Sequence, residues 1–372
     1  MKQTVAGRIP ESHGPPPPLA PGSTVGIVGG GQLGRMLAMA AARMGYRCHV
    51  LTPEENSPAA QVAETATIAD YTDERALRAF AENCDVVTFE FENIPHRSVQ
   101  WLSGRVPVRP GWKSLRIAQD RLREKDFLTK IAKVPVATYR LVESARGLER
   151  ALAEIGRPAV LKTARMGYDG KGQVMIDRHT AVEDAWARMG SERGALECFI
   201  DMKLEISIVL ARGLNGEIKT YPPVENLHKN HILHTTTYPA NIGRDLAVQA
   251  DRAARAIAKA LDYVGVMAVE MFVADGGELL INEIAPRPHN SGHWTIDACG
   301  CSQFEQGVRA VCGLPLGDPA PHSSARMTNL IGGDVEDWLA LMTEPGAIPH
   351  IYGKREARPG RKMGHVTRLK SA

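Results

Sequence analysis

The sequence predicts an α/β protein, α+β over its whole length, that opens with a parallel sheet and continues into further domains. Three observations carry this. From residue 24 to about residue 109, short apolar runs alternate with amphipathic segments, the pattern of strands with helices on their faces. VGIVGGGQLGRM (25–36) reads as a strand, a glycine-rich turn and a helix start, with Gly29, Gly31 and Gly34 in G-x-G-x-x-G spacing. Finally, 372 residues, 44% hydrophobic and 23% charged, are too many for one core and suited to several. The formal charge of +3 argues against a broad nucleic-acid or anionic-membrane surface, so basic groups should act locally on small anions.

Residues 1–22 hold four consecutive prolines and no apolar core of a secretory signal; they read as an extended, disordered leader outside the fold. In the first domain (23–120), TVGIVGG, YRCHVLT and DVVTFEF read as strands, and GRMLAMAAARMG and DERALRAFAENC as helices. One helical stretch, SLRIAQDRLREKDFLTKIA (114–132), leads into a smaller domain (121–204). There RPAVLKT, GQVMID and ALECFI are strand candidates, with DRHTAVEDAWARMG helical. The third piece (205–372) has the strand EISIVLARG, the helix RDLAVQADRAARAIAKALDY, the strand pair GVMAVEMFV and ELLINEIA, and a basic, glycine-rich tail. Six scattered cysteines without C-x-x-C point to reduced thiols and a cytoplasmic protein, and no apolar run reaches membrane-spanning length.

The strand pair flanks Asp275-Gly276-Gly277, a hairpin-turn signal. A two-residue loop at Gly276-Gly277 sets Val273 opposite Leu280, Met271 opposite Asn282 and Glu270 opposite Glu283. A turn at Asp275-Gly276 changes the partners but leaves both glutamates on one face. Opposed like charges need a counter-ion, and hard oxygen ligands so placed suit magnesium shared with substrate phosphates. The alternative leaves one glutamate in water at a frayed strand end.

In VLKTARMGYDGKGQ (160–173), Lys162 ends a strand and Gly167, Gly170 and Gly172 follow within a short span. Such a loop lets backbone amides approach phosphate and stays mobile enough to close; the alternative is a glycine-rich surface hairpin. ECFI then offers Glu197, Phe199 and Ile200 as an apolar linker able to hold an adenine ring, followed by Glu205.

Lys162, GYDGKGQ, ECFI and the Glu270/Asn282-Glu283 pair together resemble the ATP-grasp superfamily. Within it, GGGQLGRM, TFEFENIP, GYDGKGQ, YPPVENLH, APRPHNSGHWT and RPGRKMGH resemble the 5-(carboxyamino)imidazole ribonucleotide synthases of purine biosynthesis, in order from about residue 25 to residue 366. The resemblance implies an ATP-grasp fold with an N-terminal Rossmann-like preATP-grasp domain, a small lid domain and a C-terminal mixed domain. It implies ATP and Mg²⁺ with bicarbonate and 5-aminoimidazole ribonucleotide as reactants, and a homodimer. The first strand-turn-helix then binds no dinucleotide, and the acidic residue expected near Leu51 or Thr52 is indeed missing. The turn becomes a seat for part of the ribonucleotide.

By resemblance, Arg121, Lys162 and the loop Gly167, Tyr168, Asp169, Gly170, Lys171, Gly172 and Gln173 contact ATP. Glu197, Cys198, Phe199 and Ile200 line the adenine pocket, Glu205 takes the ribose, and His228 and Asn282 join the nucleotide site. Glu270 and Glu283 hold the metal. Gln32, Glu92, Arg287, His289 and Asn290 grip the aminoimidazole substrate, with Lys354 and Arg361 at its phosphate; Arg287, His289 and Lys162 are the catalytic candidates. Rival readings are another ATP-grasp ligase, such as a formate-dependent glycinamide ribonucleotide transformylase or a biotin carboxylase, and an oxidoreductase resting on GGGQLG alone.

Overall fold

A computed structural model of the chain describes residues 14–165, 167 and 171–370. The alternation at the start folds as four parallel strands in the order Thr65–Ile68, Arg47–Thr52, Thr24–Val28, Val86–Phe89. The first of these is a polar, largely exposed edge strand that carries little apolar signal. Helix Gln32–Arg43 buries Leu33, Leu37 and Ala41 in a core with Val25, Ile27 and Val50. That core is completed by Phe304, Val308 and Val311 of a distant helix, Gln303–Cys312. Leu77, Phe80, Val99 and Leu102, from helices Glu74–Glu82 and His96–Ser103, form a separate core with Val28, Leu51 and Val87.

The leader expectation is corrected in its last part. The Leu19 N–H donates to the Cys312 carbonyl at 2.9 Å, and the Tyr46 hydroxyl donates to the Leu19 carbonyl at 2.7 Å. The Leu19 side chain packs against the core of helix Gln32–Arg43. An apolar residue after the prolines thus docks the strand entrance; residues 1–13 lie outside the described residues.

The expected single helix over 114–132 is three pieces: Trp112–Ala118, Arg121–Asp126 and a π-helical turn, Phe127–Ile131. Asp120 makes the first break. Its backbone is extended (φ −139°), and its carboxylate accepts from the amides of Leu122 and Arg123, so it caps a new helix. The small domain is an antiparallel sheet in the order Tyr139–Val142, Gly194–Cys198, Ala159–Thr163, Gln173–Ile176. Helices Ala145–Ile155 and Val182–Met189 share its core through Leu148, Leu152, Ala185 and Met189.

The third sheet has nine antiparallel strands. Eight run in the order Leu279–Ala285, Gly265–Ala274, Met202–Arg212, Val224–Lys229, Ile232–Tyr238, Ser324–Ile331, Lys362–Lys370, Ala347–Ile351, and Ile218–Thr220 pairs with Met202–Arg212. Side chains alternate faces along a strand. Ile206, Ile208, Leu210, Met267 and Val269 pack with Ala250, Ala254 and Ile257 of helix Arg244–Ala260. Val209, Ala211, Val266 and Ala268 pack on the other face with Trp294 and Ala310. Glu205, Ser207, Glu270 and Phe272 continue that second face, with Glu270 opposite Ser207 and Phe272 opposite Glu205.

The hairpin closes differently from expectation. Its loop has three residues, 275–277: Ala274 N–H donates to Glu278 O at 2.9 Å, and Gly277 adopts φ +84°. Val273 therefore faces Leu279, and Met271 faces Ile281. A bulge at Asn282 absorbs the offset and restores Glu270 opposite Glu283. Among the described residues, no helix is long and apolar enough to cross a membrane.

Candidate active site

Where the small sheet faces the large one, a cleft of about 500 Å³ opens, with residues of all three sheets or their flanking loops on its walls. Lys162, at the end of Ala159–Thr163, reaches Glu197 across the small sheet, Nζ to Oε2 at 2.9 Å. Lys125 enters the same buried cluster, 3.5 Å from Glu197 and donating to the Asn282 carbonyl at 2.9 Å. Burial opposes ionisation of Glu197, but Lys125 and Lys162 outweigh it and hold the carboxyl down to about 2. Burial lowers Lys162, against the pull of Glu197. Cys198, Phe199 and Ile200 line the adjoining wall, as do Gly167, Lys171 and Gln173. Gly172 takes φ +72° and accepts from Thr163 N–H at 2.7 Å, which folds the loop back on its strand. Tyr168, Asp169 and Gly170 lie outside the described residues.

The two opposed glutamates each have a basic side chain as partner. Glu283 meets Arg121 at 3.1 Å, and Glu270 meets His289 Nε2 at 2.8 Å. Burial would raise Glu270, yet His289, with His228 and Arg287 behind it, holds it below the usual carboxylate range. Asn282, turned by the bulge, also lines the cleft, and its buried Oδ1 has no partner among the described residues. Two carboxylates beside an unpartnered amide oxygen form a hard donor set that fits a divalent cation carrying phosphates. His228 Nδ1 lies 2.8 Å from Glu205, an ion-pair contact that raises the imidazole's pKa against burial.

On the far wall Glu92 accepts from both Nε and Nη2 of Arg287, the latter at 2.8 Å. Burial raises Glu92, but the guanidinium overrides it and holds the acid below its usual range. His289 and Asn290 complete this wall, and both side-chain polar atoms of buried Asn290 lack partners among the described residues. Gln32, Lys354 and Arg361 are not on this cleft's walls. They belong to a neighbouring locus at the glycine turn, where the tail folds back. Gln61 donates to the Gly353 carbonyl at 2.9 Å, Arg361 lies 3.9 Å from Glu54, and Lys354 donates to the Lys362 carbonyl at 2.6 Å.

The glycine turn holds a ligand from its own chain. Glu90, just past the strand Val86–Phe89, accepts from Gly31 N–H at 2.8 Å and Gly34 N–H at 3.2 Å. It caps helix Gln32–Arg43 where a dinucleotide fold would place pyrophosphate. A Cβ at Gly29 or Gly31 would come within 2.9 Å of Glu90. Glu90 thereby occupies two of the turn's amides, and Gln32 begins the helix beside them.

Sequence reasoning missed Lys125, Glu124 and Glu90. Arg121, Glu124 and Lys125 stand at i, i+3 and i+4 of one short helix, a spacing that marks a shared face. Glu124 accepts from Ile284 N–H at 2.7 Å and so ties that helix to the hairpin. Glu90 shares strand parity with Glu92, its only sequence signal.

A parallel domain whose glycine turn is capped by its own Glu90, a small sheet closing over a large antiparallel one, and lysine and paired acids between them define an ATP-grasp protein. Family models agree: the ribonucleotide synthetase preATP-grasp domain matches residues 23–119, the ATP-grasp domain 127–304, and the phosphoribosylaminoimidazole carboxylase C-terminal domain 325–372. The N5-carboxyaminoimidazole ribonucleotide synthase of Brucella melitensis is 48% identical over 95% of this chain and 98% of its own length. That of Bacillus subtilis is 44% identical over 94% and 92%. A crystal structure of an N5-carboxyaminoimidazole ribonucleotide synthetase with ADP superposes with a TM-score of 0.92 at 46% identity, covering 95% and 94% of the two chains. The Aspergillus clavatus enzyme with ADP and 5-aminoimidazole ribonucleotide gives 0.87 at 30% identity, covering 94% of each. The chain belongs to the N5-carboxyaminoimidazole ribonucleotide synthase family, and is an ATP-grasp ligase.

Proposed function

We propose that this chain uses ATP and bicarbonate to carboxylate the 5-amino group of 5-aminoimidazole ribonucleotide. The single observation that carries the reading is that the Lys162–Glu197 cluster, the Glu270/Asn282/Glu283 donor set and the Glu92–Arg287–His289 wall open into one cleft. A bicarbonate oxygen attacks the γ-phosphorus, the bond to ADP breaks, and carboxyphosphate forms. Lys162 and Arg121 neutralise charge on the transferring phosphoryl group from fixed positions. The 5-amino nitrogen then attacks the carboxyl carbon, phosphate leaves, and the amine gives up a proton. Glu270, Glu283 and Asn282 would hold Mg²⁺, which when bound supplies charge neutralisation at the phosphate oxygens. The loop after Lys162 excludes water that would hydrolyse the carboxyphosphate. Phe199 and Ile200 flank the adenine, and Glu205 and His228 serve the nucleotide. Arg287 and Asn290 orient the imidazole, Gln32 grips the ribonucleotide from the first domain, and Lys354 and Arg361 receive its phosphate at the neighbouring locus. The enzyme works in the cytoplasm as a homodimer.

The test is ADP release with magnesium-ATP and bicarbonate, with and without 5-aminoimidazole ribonucleotide, against glycinamide ribonucleotide plus formate. Strong release with the aminoimidazole substrate alone is expected. Release driven by glycinamide ribonucleotide and formate would keep the nucleotide site and overturn the acceptor.

A further inference from the structure

The loop that carries His289 is fastened twice. Gln303, with no solvent exposure, accepts from the His289 backbone N–H at 2.9 Å and donates to the His289 carbonyl at 2.7 Å. The ring is held separately, by a buried chain of polar side chains. Ser291 Oγ lies 2.8 Å from His289 Nδ1 and 2.7 Å from Ser207 Oγ. Asn226 Nδ2 lies 2.9 Å from Ser207 Oγ, and Thr236 Oγ1 lies 2.9 Å from Asn226 Oδ1. Ser207, Ser291 and Thr236 are wholly buried, and Asn226 is 6% exposed.

Hydroxyls rotate and amides flip, so the distances alone leave the direction of this chain open. One member cannot turn. The Ser291 backbone N–H also faces His289 Nδ1, at 3.3 Å, and a fixed N–H favours a lone pair there. With Nδ1 an acceptor, the Ser291 hydroxyl donates to it. Ser291 oxygen then accepts from Ser207, Ser207 oxygen accepts from the Asn226 amide, and Asn226 Oδ1 accepts from Thr236. In this direction each of those protons meets an acceptor. The remaining ring nitrogen, Nε2, lies 2.8 Å from Glu270 Oε1 on the cleft side.

We propose that Thr236, Asn226, Ser207 and Ser291 are positioning residues that keep the His289 proton on Nε2, making this imidazole a hydrogen-bond donor to oxygen in the cleft. It follows that His289 does not take the amine proton: its one lone pair points into the protein and is engaged by Ser291. Its task is to orient the Glu270 carboxylate and to face anionic oxygens. The catalytic part rests on the function proposed above; the tautomer does not.

The test is ¹⁵N–¹H correlation of the full-length protein labelled at histidine, at mildly alkaline pH where an ordinary imidazole is neutral. His289→Gln identifies the resonances. Expected are a protonated Nε2 and an imine-type Nδ1; a proton on Nδ1, in the neutral or the charged ring, overturns the proposal. Asn226→Asp offers Ser207 only acceptor oxygens, so the chain reverses and Nδ1 gains the proton. In that variant kcat falls about tenfold, the scale of one hydrogen bond to a charged group, with KM for ATP within about twofold of the parent. A variant that keeps the parent tautomer, or keeps the parent kcat with Nδ1 protonated, counts against the assigned role. Where Asn226→Asp fails to fold, the parent spectrum still decides. Loss of aminoimidazole-dependent ADP release in the parent would sink the functional reading and leave the tautomer standing.

Discussion

Lys354 carries a charge set to change just above neutral pH. Burial, with Arg361 and Lys362 close by, pushes its ammonium down to about 8, against weaker attraction from Glu90 and Glu54. A phosphate there recovers the proton, so ribonucleotide binding should weaken as pH rises through about 8. The check is KM for 5-aminoimidazole ribonucleotide against pH. It should climb above that value in the parent and stay high and flat in Lys354→Met. Glu197 behaves oppositely. Its folded pKa of about 2 lies below an unfolded value of about 4.3. Its stabilisation is therefore complete above that unfolded value and lost as pH falls toward 2. Glu197→Gln strands Lys125 and Lys162 side by side in a buried site, and should cost roughly 3–5 kcal/mol in urea denaturation.

At the scale of elements, the glycine turn and the hairpin show what local sequence can encode. Gly29 combines φ +113° with a Cβ position 2.5 Å from the Glu90 Cγ. Gly29→Ala should therefore destabilise by roughly 2–4 kcal/mol, read from the denaturation midpoint, through backbone strain and overpacking. The turn was legible in its glycine spacing, but its occupant was not, because Glu90 lies 56 to 59 residues away. The facing of Glu270 and Glu283 matches the reading because the bulge cancels the one-residue shift of the turn. The three-residue loop and the bulge at Asn282 were not legible, since two offsets that cancel leave no trace in the parity of the glutamates. The broken helix at Asp120 carried a capping signal, an acid ahead of Leu122 and Arg123, hidden within a continuous apolar pattern. Ser207 and Asn226 looked like ordinary strand residues, and only the pairing of Val224 with Ser207 and Asn226 with Glu205 brings them to His289.

Across the whole molecule, helix Gln303–Cys312 is the joint. Phe304, Val308 and Val311 enter the first domain's core, while Ala310 belongs to the core on the large sheet. Parallel sheet and large sheet should therefore melt together. Phe304→Ala should cost roughly 3–5 kcal/mol and lower one calorimetric transition; a separate early transition for the first domain would contradict this. The carboxylate of Glu90 has a wider consequence. A turn that waits for a free cofactor gains stability by mass action, rising with the logarithm of cofactor concentration. Here the occupant is tethered, so the first domain's melting point should not respond to added NADH at any concentration. The nicotinamide economy of the cell cannot reach those two amides.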